Sequence, residues 1–309
     1  MFKLGYFILA HDRVDLVNKL IDSLNAPNVY FFIHIDKKSK DKFSNLRKGE
    51  NITCLSKSYN INWGDISIVD AVISLCNFAL ASSATCDYYV LLSGHDYPLK
   101  NAIEIYDFFK ENNSRNYTIG YQLPTTNLNW IDGGLLRLRG ISIKLDKRRI
   151  ATIIPHSFSF TNFRQFIKVL KYCPHKIMQA MNIWFKSKRE LPYGLIPYGG
   201  EMWFRINRKS LEKIISFTNS HQMYYSFMKD VTIPDEMFFN TLLWNLTDEN
   251  ENVNENLTYI NWTGGSSPAN IENKSKIIKL IENPRFLFAR KFESVKILNF
   301  IDSNLQPHV

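Results

Sequence analysis

In DYYVLLSGHDYP, residues 87–98, an unbroken apolar and aromatic run gives way abruptly to Ser-Gly-His-Asp. A strand wetted on one face alternates apolar and polar residues. An unbroken run is buried on both faces, as strands of a parallel sheet are. FKLGYFILA (2–10) and VYFFIHID (29–36) read the same way, and NITCLSK (51–57) reads as a shorter strand. Between them lie helical patterns. Residues 12–24 place Val14, Leu16, Val17, Leu20 and Ile21 on one face. Asp65 is placed to cap a helix whose Ile66, Val69, Ile73, Cys76 and Leu80 share a face. Strand and helix in alternation predict an α/β fold with a mostly parallel central sheet flanked by helices. Ligands of such sheets gather beyond the carboxyl ends of the strands. Three polar loops fall at those ends: Ala10-His11-Asp12, His34-Ile35-Asp36-Lys37, and Ser93 through Pro98.

The rest of the chain is globular in pattern. PYGGEMWFRIN (197–207) reads as a glycine turn followed by a strand, and Ser210 as the start of a helix running to Phe217. Pro234 opens a further helix from its first turn, with Asp235 as a cap-type residue. With 45% hydrophobic and 14% aromatic residues in 309, the chain buries a sizeable core and is not disordered. Its first apolar run, about eight residues, is too short to span a bilayer and carries no cleavage site, so it reads as a strand. The four cysteines form no CxxC pair, which argues against zinc and a disulfide framework. The reading is a cytoplasmic protein with free thiols.

The net charge of +9 is concentrated. Residues 137–189 hold 13 Lys/Arg against Asp146 alone, so the remainder is slightly acidic. Apolar residues interleave with these cations: Ile153, Ile154, Phe158, Phe160, Phe163, Phe166, Ile167 and Trp184. Two readings stand. In one, the segment lies on an anionic membrane, its apolar side at the headgroup boundary. In the other, it is a folded subdomain whose cations face solvent or an acidic acceptor.

Candidate chemistry rests on few residues. Glu236, in the first turn of its helix, is either a carboxylate stabilised by the helix dipole or a general base. Arg290 and Lys291 are adjacent cations in an apolar setting, LFARKFE (287–293). They are either solvated charges on an edge strand or a pair that balances anionic charge. Asp-x-Asp, a common metal-holding motif, occurs nowhere.

The motifs ILAHDR (8–13), YFFIHIDKKS (30–39), INWGDISIVDA (61–71), LLSGHDYPLKN (91–101), GGEMWFRINR (199–208), PDEMFFNTLL (234–243), NWTGGSSPANI (261–271) and LFARKFESV (287–295) occur in this order across nearly the whole chain. In them the sequence resembles the family of core-2/I-branching N-acetylglucosaminyltransferases and peptide O-xylosyltransferases. The last two motifs look more like the xylosyltransferase branch.

The resemblance implies a GT-A-like nucleotide-diphosphosugar transferase fold. The activity it implies is inverting, metal-independent transfer of xylose or N-acetylglucosamine from a UDP-sugar to a glycan, lipid-linked glycan or peptide. It implies no cofactor. Carried over by position, Glu236 is the base, and Arg290 and Lys291 hold the diphosphate with Ser266 and Ser267 nearby. His11, Asp36, Trp63 and Asp96 bind the donor. Glu201, Trp203 and Trp262 face the acceptor. One catalytic domain is expected over 1–309: a nucleotide-binding half (1–136), a basic insert without an aligned counterpart (137–190), and an acceptor and catalytic half (191–309). The animal enzymes' paired cysteines and membrane anchor are absent from this sequence, which looks bacterial. Two rival readings are a metal-dependent transferase with carboxylates from Asp36 and Asp96, and a non-enzymatic protein that binds a membrane surface or nucleic acid. No nucleic-acid motif supports the latter.

Overall fold

In the computed structural model, the described residues are 1–147, 149–263 and 267–305. β1 (Leu4–Ala10), α1 (Val14–Leu24), β2 (Val29–Ile35), β3 (Ile52–Cys54), α2 (Ser67–Ala81) and β4 (Tyr88–Ser93) keep the predicted alternation. β5 (Tyr97–Pro98), α3 (Ala102–Glu111), β6 (Asn116–Tyr117) and β7 (Gly120–Gln122) follow. The basic stretch forms α4 (Leu135–Arg139), β8 (Ile141–Lys144), β9 (Ile150–Ile153), α5 (Phe160–Tyr172) and α6 (Ile177–Trp184). The C-terminal part contributes β10 (Tyr198–Gly200), β11 (Arg205–Asn207), α7 (Arg208–Ser220), α8 (Gln222–Lys229), α9 (Asp235–Leu246), β12 (Asn252–Val253), β13 (Thr258–Ile260), α10 (Lys274–Glu282), β14 (Phe288–Arg290) and α11 (Val295–Leu305).

The main sheet has the strand order β12-β6-β11-β4-β1-β2-β3. Only β11 runs against the others. The unbroken apolar strands are unbroken because both faces are covered. Tyr6, Ile8, Phe31, Ile33, Val90 and Leu92 pack under α1, α3, α10 and α11. Their neighbours Phe7, Leu9, Phe32, Tyr89 and Leu91 pack under α2, α7, α8 and α9. Phe7 stacks on Tyr89 with ring centroids 4.9 Å apart. Each such side chain, fully withdrawn from water, contributes about 2 kcal/mol. A smaller sheet, β13-β14-β5, runs its middle strand β14 against β5, which places FARKF beside GHDYP.

Three local expectations are corrected. The α7 cap is Asn207, whose side chain accepts from Ser210 N, so Ser210 lies within the first turn. Asp235 makes no capping bond and is buried, with Pro234 in the cap position. In PYGGEMWFRIN the glycines form no turn but lie in β10, which pairs with β7, and the expected strand is the short β11 of the main sheet. Asp65 does serve α2, accepting from Ser67 N at 2.9 Å.

The basic stretch is a folded unit. The β8–β9 hairpin and helices α5 and α6 enclose Ile143, Ala151, Ile153, Val169, Ala180 and Ile183. It is tied to the main body by Ser142 N, which donates to Asp230 O at 2.8 Å, and by the Thr152 and Thr232 hydroxyls. Among the described residues no helix is long and apolar enough to cross a membrane.

Candidate active site

At the carboxyl end of β4 the chain turns back so that Asp96 accepts from its own strand end. Ser93 N donates at 2.8 Å and Ser93 Oγ at 3.0 Å. Asp96 is buried, and its carboxylate faces the buried Arg290 of β14, Nε to Oδ1 3.3 Å. The Arg290 guanidinium lies 4.0 Å over the Trp203 ring. This excludes the edge-strand reading of Arg290: β14 is the middle strand of its sheet, and the charge is neutralised inside the protein. Lys291 makes no ion pair among the described residues.

Glu201 enters the same neighbourhood from the loop after β10. The two glycines before it are required by close approach. A Cβ on Gly199 would meet the Trp130 ring at 2.4 Å, and one on Gly200 would meet the Ile119 carbonyl oxygen at 1.7 Å. Asn256 Nδ2 donates to the Glu201 carboxylate. Burial pushes the Glu201 carboxyl up to about 7. Arg205 and Arg290 oppose this, while Glu236 and Asp96 add to it. Arg205, fully buried, is held by Asn256 Oδ1 at 3.1 Å and by the Thr258 hydroxyl.

Glu236 stands in the first turn of α9, half-exposed, and pairs with Arg137. Arg137 in turn stacks on Trp130, 3.7 Å from its ring. Beside it, Asp235 is held well above the usual carboxylate range by burial and by the Glu236 charge. Asn240, one turn along α9, donates to Glu201 O at 2.9 Å and so ties the two carboxylate-bearing segments together.

A second group occupies the ends of β1 and β4. His95 is buried, with Nε2 2.7 Å from Asp12 Oδ1 and Nδ1 3.0 Å from Phe292 O. His11 Nε2 lies 3.5 Å from the same Asp12 oxygen. Burial lowers the His11 pKa, with Lys291 and His95 acting in the same sense and Asp12 against it. The ligand atoms of His11, Asp12 and His95 lie within 4.8 Å of one another, close enough to share a cation. Asp36, buried at the end of β2, accepts from Lys38 N at 2.9 Å.

Asp96, Arg290, Trp203, Glu201 and Glu236 are thus linked by contact or by charge, and His11 and Asp36 lie at the carboxyl ends of β1 and β2, with the Lys291 charge acting on His11. Trp63 and Trp262 are exposed and take no part in these contacts. Ser267 is exposed, and Ser266 lies outside the described residues. Sequence reading passed over Asp12, His95, Arg137, Arg205 and Asn256. The first two stood in the polar loops already singled out. The other three act across 99, 53 and 55 residues of sequence, for which no local pattern exists.

A sequence model of the Core-2/I-Branching enzyme family matches residues 4–130 and 145–283. The match takes in most of the basic stretch expected to lack a counterpart and omits only its start. Xylosyltransferase oxt of Drosophila melanogaster is 23% identical over 90% of this chain and 30% of its own length. Xylosyltransferase 2 of Rattus norvegicus is 20% identical over 99% of the chain and 34% of its own length. A human beta-1,3-galactosyl-O-glycosyl-glycoprotein beta-1,6-N-acetylglucosaminyltransferase 3 is 20% identical over 78% of the chain and 47% of its own. The chain therefore spans about a third of the xylosyltransferases it matches. The order of its strands, the polar groups at their carboxyl ends and the extent of the match agree: the chain belongs to the Core-2/I-Branching enzyme family.

Proposed function

We propose that the protein is an inverting glycosyltransferase that moves xylose or N-acetylglucosamine from a UDP-sugar to a hydroxyl of a glycan, lipid-linked glycan or peptide. The observation that carries the reading is the buried Asp96–Arg290 pair, stacked on Trp203, with Glu201 and Glu236 beside it and Lys291 without an ion pair among the described residues. In such a transfer the acceptor oxygen forms a bond to the anomeric carbon while the bond from that carbon to the diphosphate breaks. Glu236 takes the acceptor proton. Its pairing with Arg137 holds it in place, and its partial exposure leaves it open to an incoming hydroxyl. The departing diphosphate carries the developing negative charge. Lys291 balances it directly, and Arg290, held by Asp96, offers guanidinium N–H donors in a fixed place that needs no reorganisation. His11 and Asp36 serve the nucleoside side, and Glu201, whose carboxyl burial pushes up to about 7, offers the acceptor a hydrogen bond in its protonated form.

The test is Glu236→Gln. Turnover should fall by about 10²–10⁴, the usual contribution of a positioned base, with UDP affinity kept. A folded Gln variant that turns over at a near-normal rate would remove Glu236 from the mechanism. The His11, Asp12 and His95 cluster supports a second reading, a metal-assisted transfer, which chelation separates from the first.

A further inference from the structure

We propose that the outward face of α5 and α6 is a docking surface for an anionic lipid bilayer. The surface is independent of the transfer reaction proposed above. Among the described residues, half of the exposed large apolar side chains fall between positions 158 and 185. On α5, Phe160, Phe163, Ile167 and Leu170 recur at helical spacing and form one stripe, all exposed. The opposite side of α5 is already used: Val169 is fully buried in the hairpin core and Asn162 bonds the backbone of Ile154. The stripe is therefore not a core face awaiting another part of this unit. Phe158, 90% exposed, projects at the helix start. Between α5 and α6 lies an open apolar cleft of about 350 Å³, walled by Phe163, Phe166, Met181, Trp184 and Phe185.

A contiguous exposed apolar face marks a binding surface. Its charge selects the occupant. No Asp or Glu occurs from Lys147 to Arg189. Arg164 and Lys171 flank the stripe on α5 and are exposed, as are Lys186 and Lys188 just beyond α6. These four make no ion pair among the described residues. A second copy of the chain, packed through the same patch, would set these cations against their own images. A surface both apolar and anionic satisfies the patch, and a bilayer with acidic headgroups is such a surface. Phenylalanines enter at the headgroup boundary while Lys and Arg meet phosphates. The hairpin beneath α5 is bonded to Asp230 and Thr232, just ahead of α9. A docked face therefore holds Glu236 at a fixed distance from the membrane.

Flotation of the full chain with vesicles tests this. Phosphatidylcholine vesicles are compared with vesicles in which phosphatidylglycerol replaces part of the lipid, at low and high salt. Binding is expected to favour the anionic vesicles by up to about 10³-fold when four cations engage, and to weaken as salt screens them. The pair Phe158→Asn with Phe160→Asn, at exposed positions that leave the core intact, should lower binding by at least about tenfold. Lys186→Glu with Lys188→Glu should abolish the preference for anionic lipid. No binding to anionic vesicles at low salt overturns the proposal, as does binding that neither variant pair changes. A concentration-dependent dimer that the Phe158 and Phe160 changes dissociate would assign the face to a second copy instead.

Discussion

Replacing Arg290 by Met removes a cation whose partner cannot follow it into water. Asp96 stays buried, with its carboxylate facing the site at 3.3 Å where the guanidinium stood. At an effective dielectric of about 20, that separation corresponds to about 5 kcal/mol of attraction. Ser93 N and Oγ remain as donors to the carboxylate, so the whole of it is not lost. Breaking one half of a buried pair costs about 3–5 kcal/mol, and we expect Arg290→Met to fall in that range. Most of this is the cost of a stranded charge. Adding Asp96→Asn should therefore recover stability, leaving the double variant about 1–3 kcal/mol better than the single. Urea unfolding at neutral pH, followed by fluorescence and by circular dichroism, measures both. A loss under about 1 kcal/mol for Arg290→Met would put the pair in the class of solvated surface bridges. A double variant no more stable than the single would show that the charge on Asp96 is not what the guanidinium compensates.

Two further outcomes follow from the same cluster. Because the folded Glu201 carboxyl titrates near 7 against 4.5 in the unfolded chain, its contribution to stability is fully present below pH 4.5 and is lost as pH rises to about 7. Glu201→Gln should flatten the pH profile of unfolding in that window and stabilise the protein above it, by at most about 3 kcal/mol; an unchanged profile would show that Glu201 is not desolvated. Lys291→Ala should weaken UDP binding, read by calorimetry, and slow transfer more than it destabilises the fold, since its ammonium makes no ion pair among the described residues; unaltered UDP affinity would remove Lys291 from the diphosphate.

The sheet was legible because its evidence is local. Residues 88–92 are aromatic or aliphatic throughout, and burial on both faces explains that. Caps were less legible, since Asn207 and Ser210 are equally competent and three residues apart. The motif-borne site residues sit where strand ends place them: Asp96 closes on Ser93, and FARKF reaches it through β14 against β5. What no local pattern carries is how long-range partners set the chemistry. Glu201 looked like any acceptor-facing carboxylate until Asn256 and two arginines surrounded it. The basic stretch contained both of its readings at once. Ile153 is core, Phe166 and Trp184 are partly so, and Phe158, Phe160, Phe163 and Ile167 are not, a division fixed by where the hairpin sits and not by composition.

The proposed reaction transfers a sugar from a UDP-sugar with the chain's own cations balancing the departing diphosphate. Release of UDP from a panel of UDP-sugars, with and without candidate acceptors and in saturating EDTA, tests it most directly. Turnover of UDP-xylose or UDP-N-acetylglucosamine that EDTA leaves unchanged is expected. Failure to turn over any UDP-sugar would contradict the transferase reading. Activity abolished by EDTA and restored by Mn²⁺ would contradict the role given to Arg290 and Lys291, and would move the chemistry to a cation held by His11, Asp12 and His95.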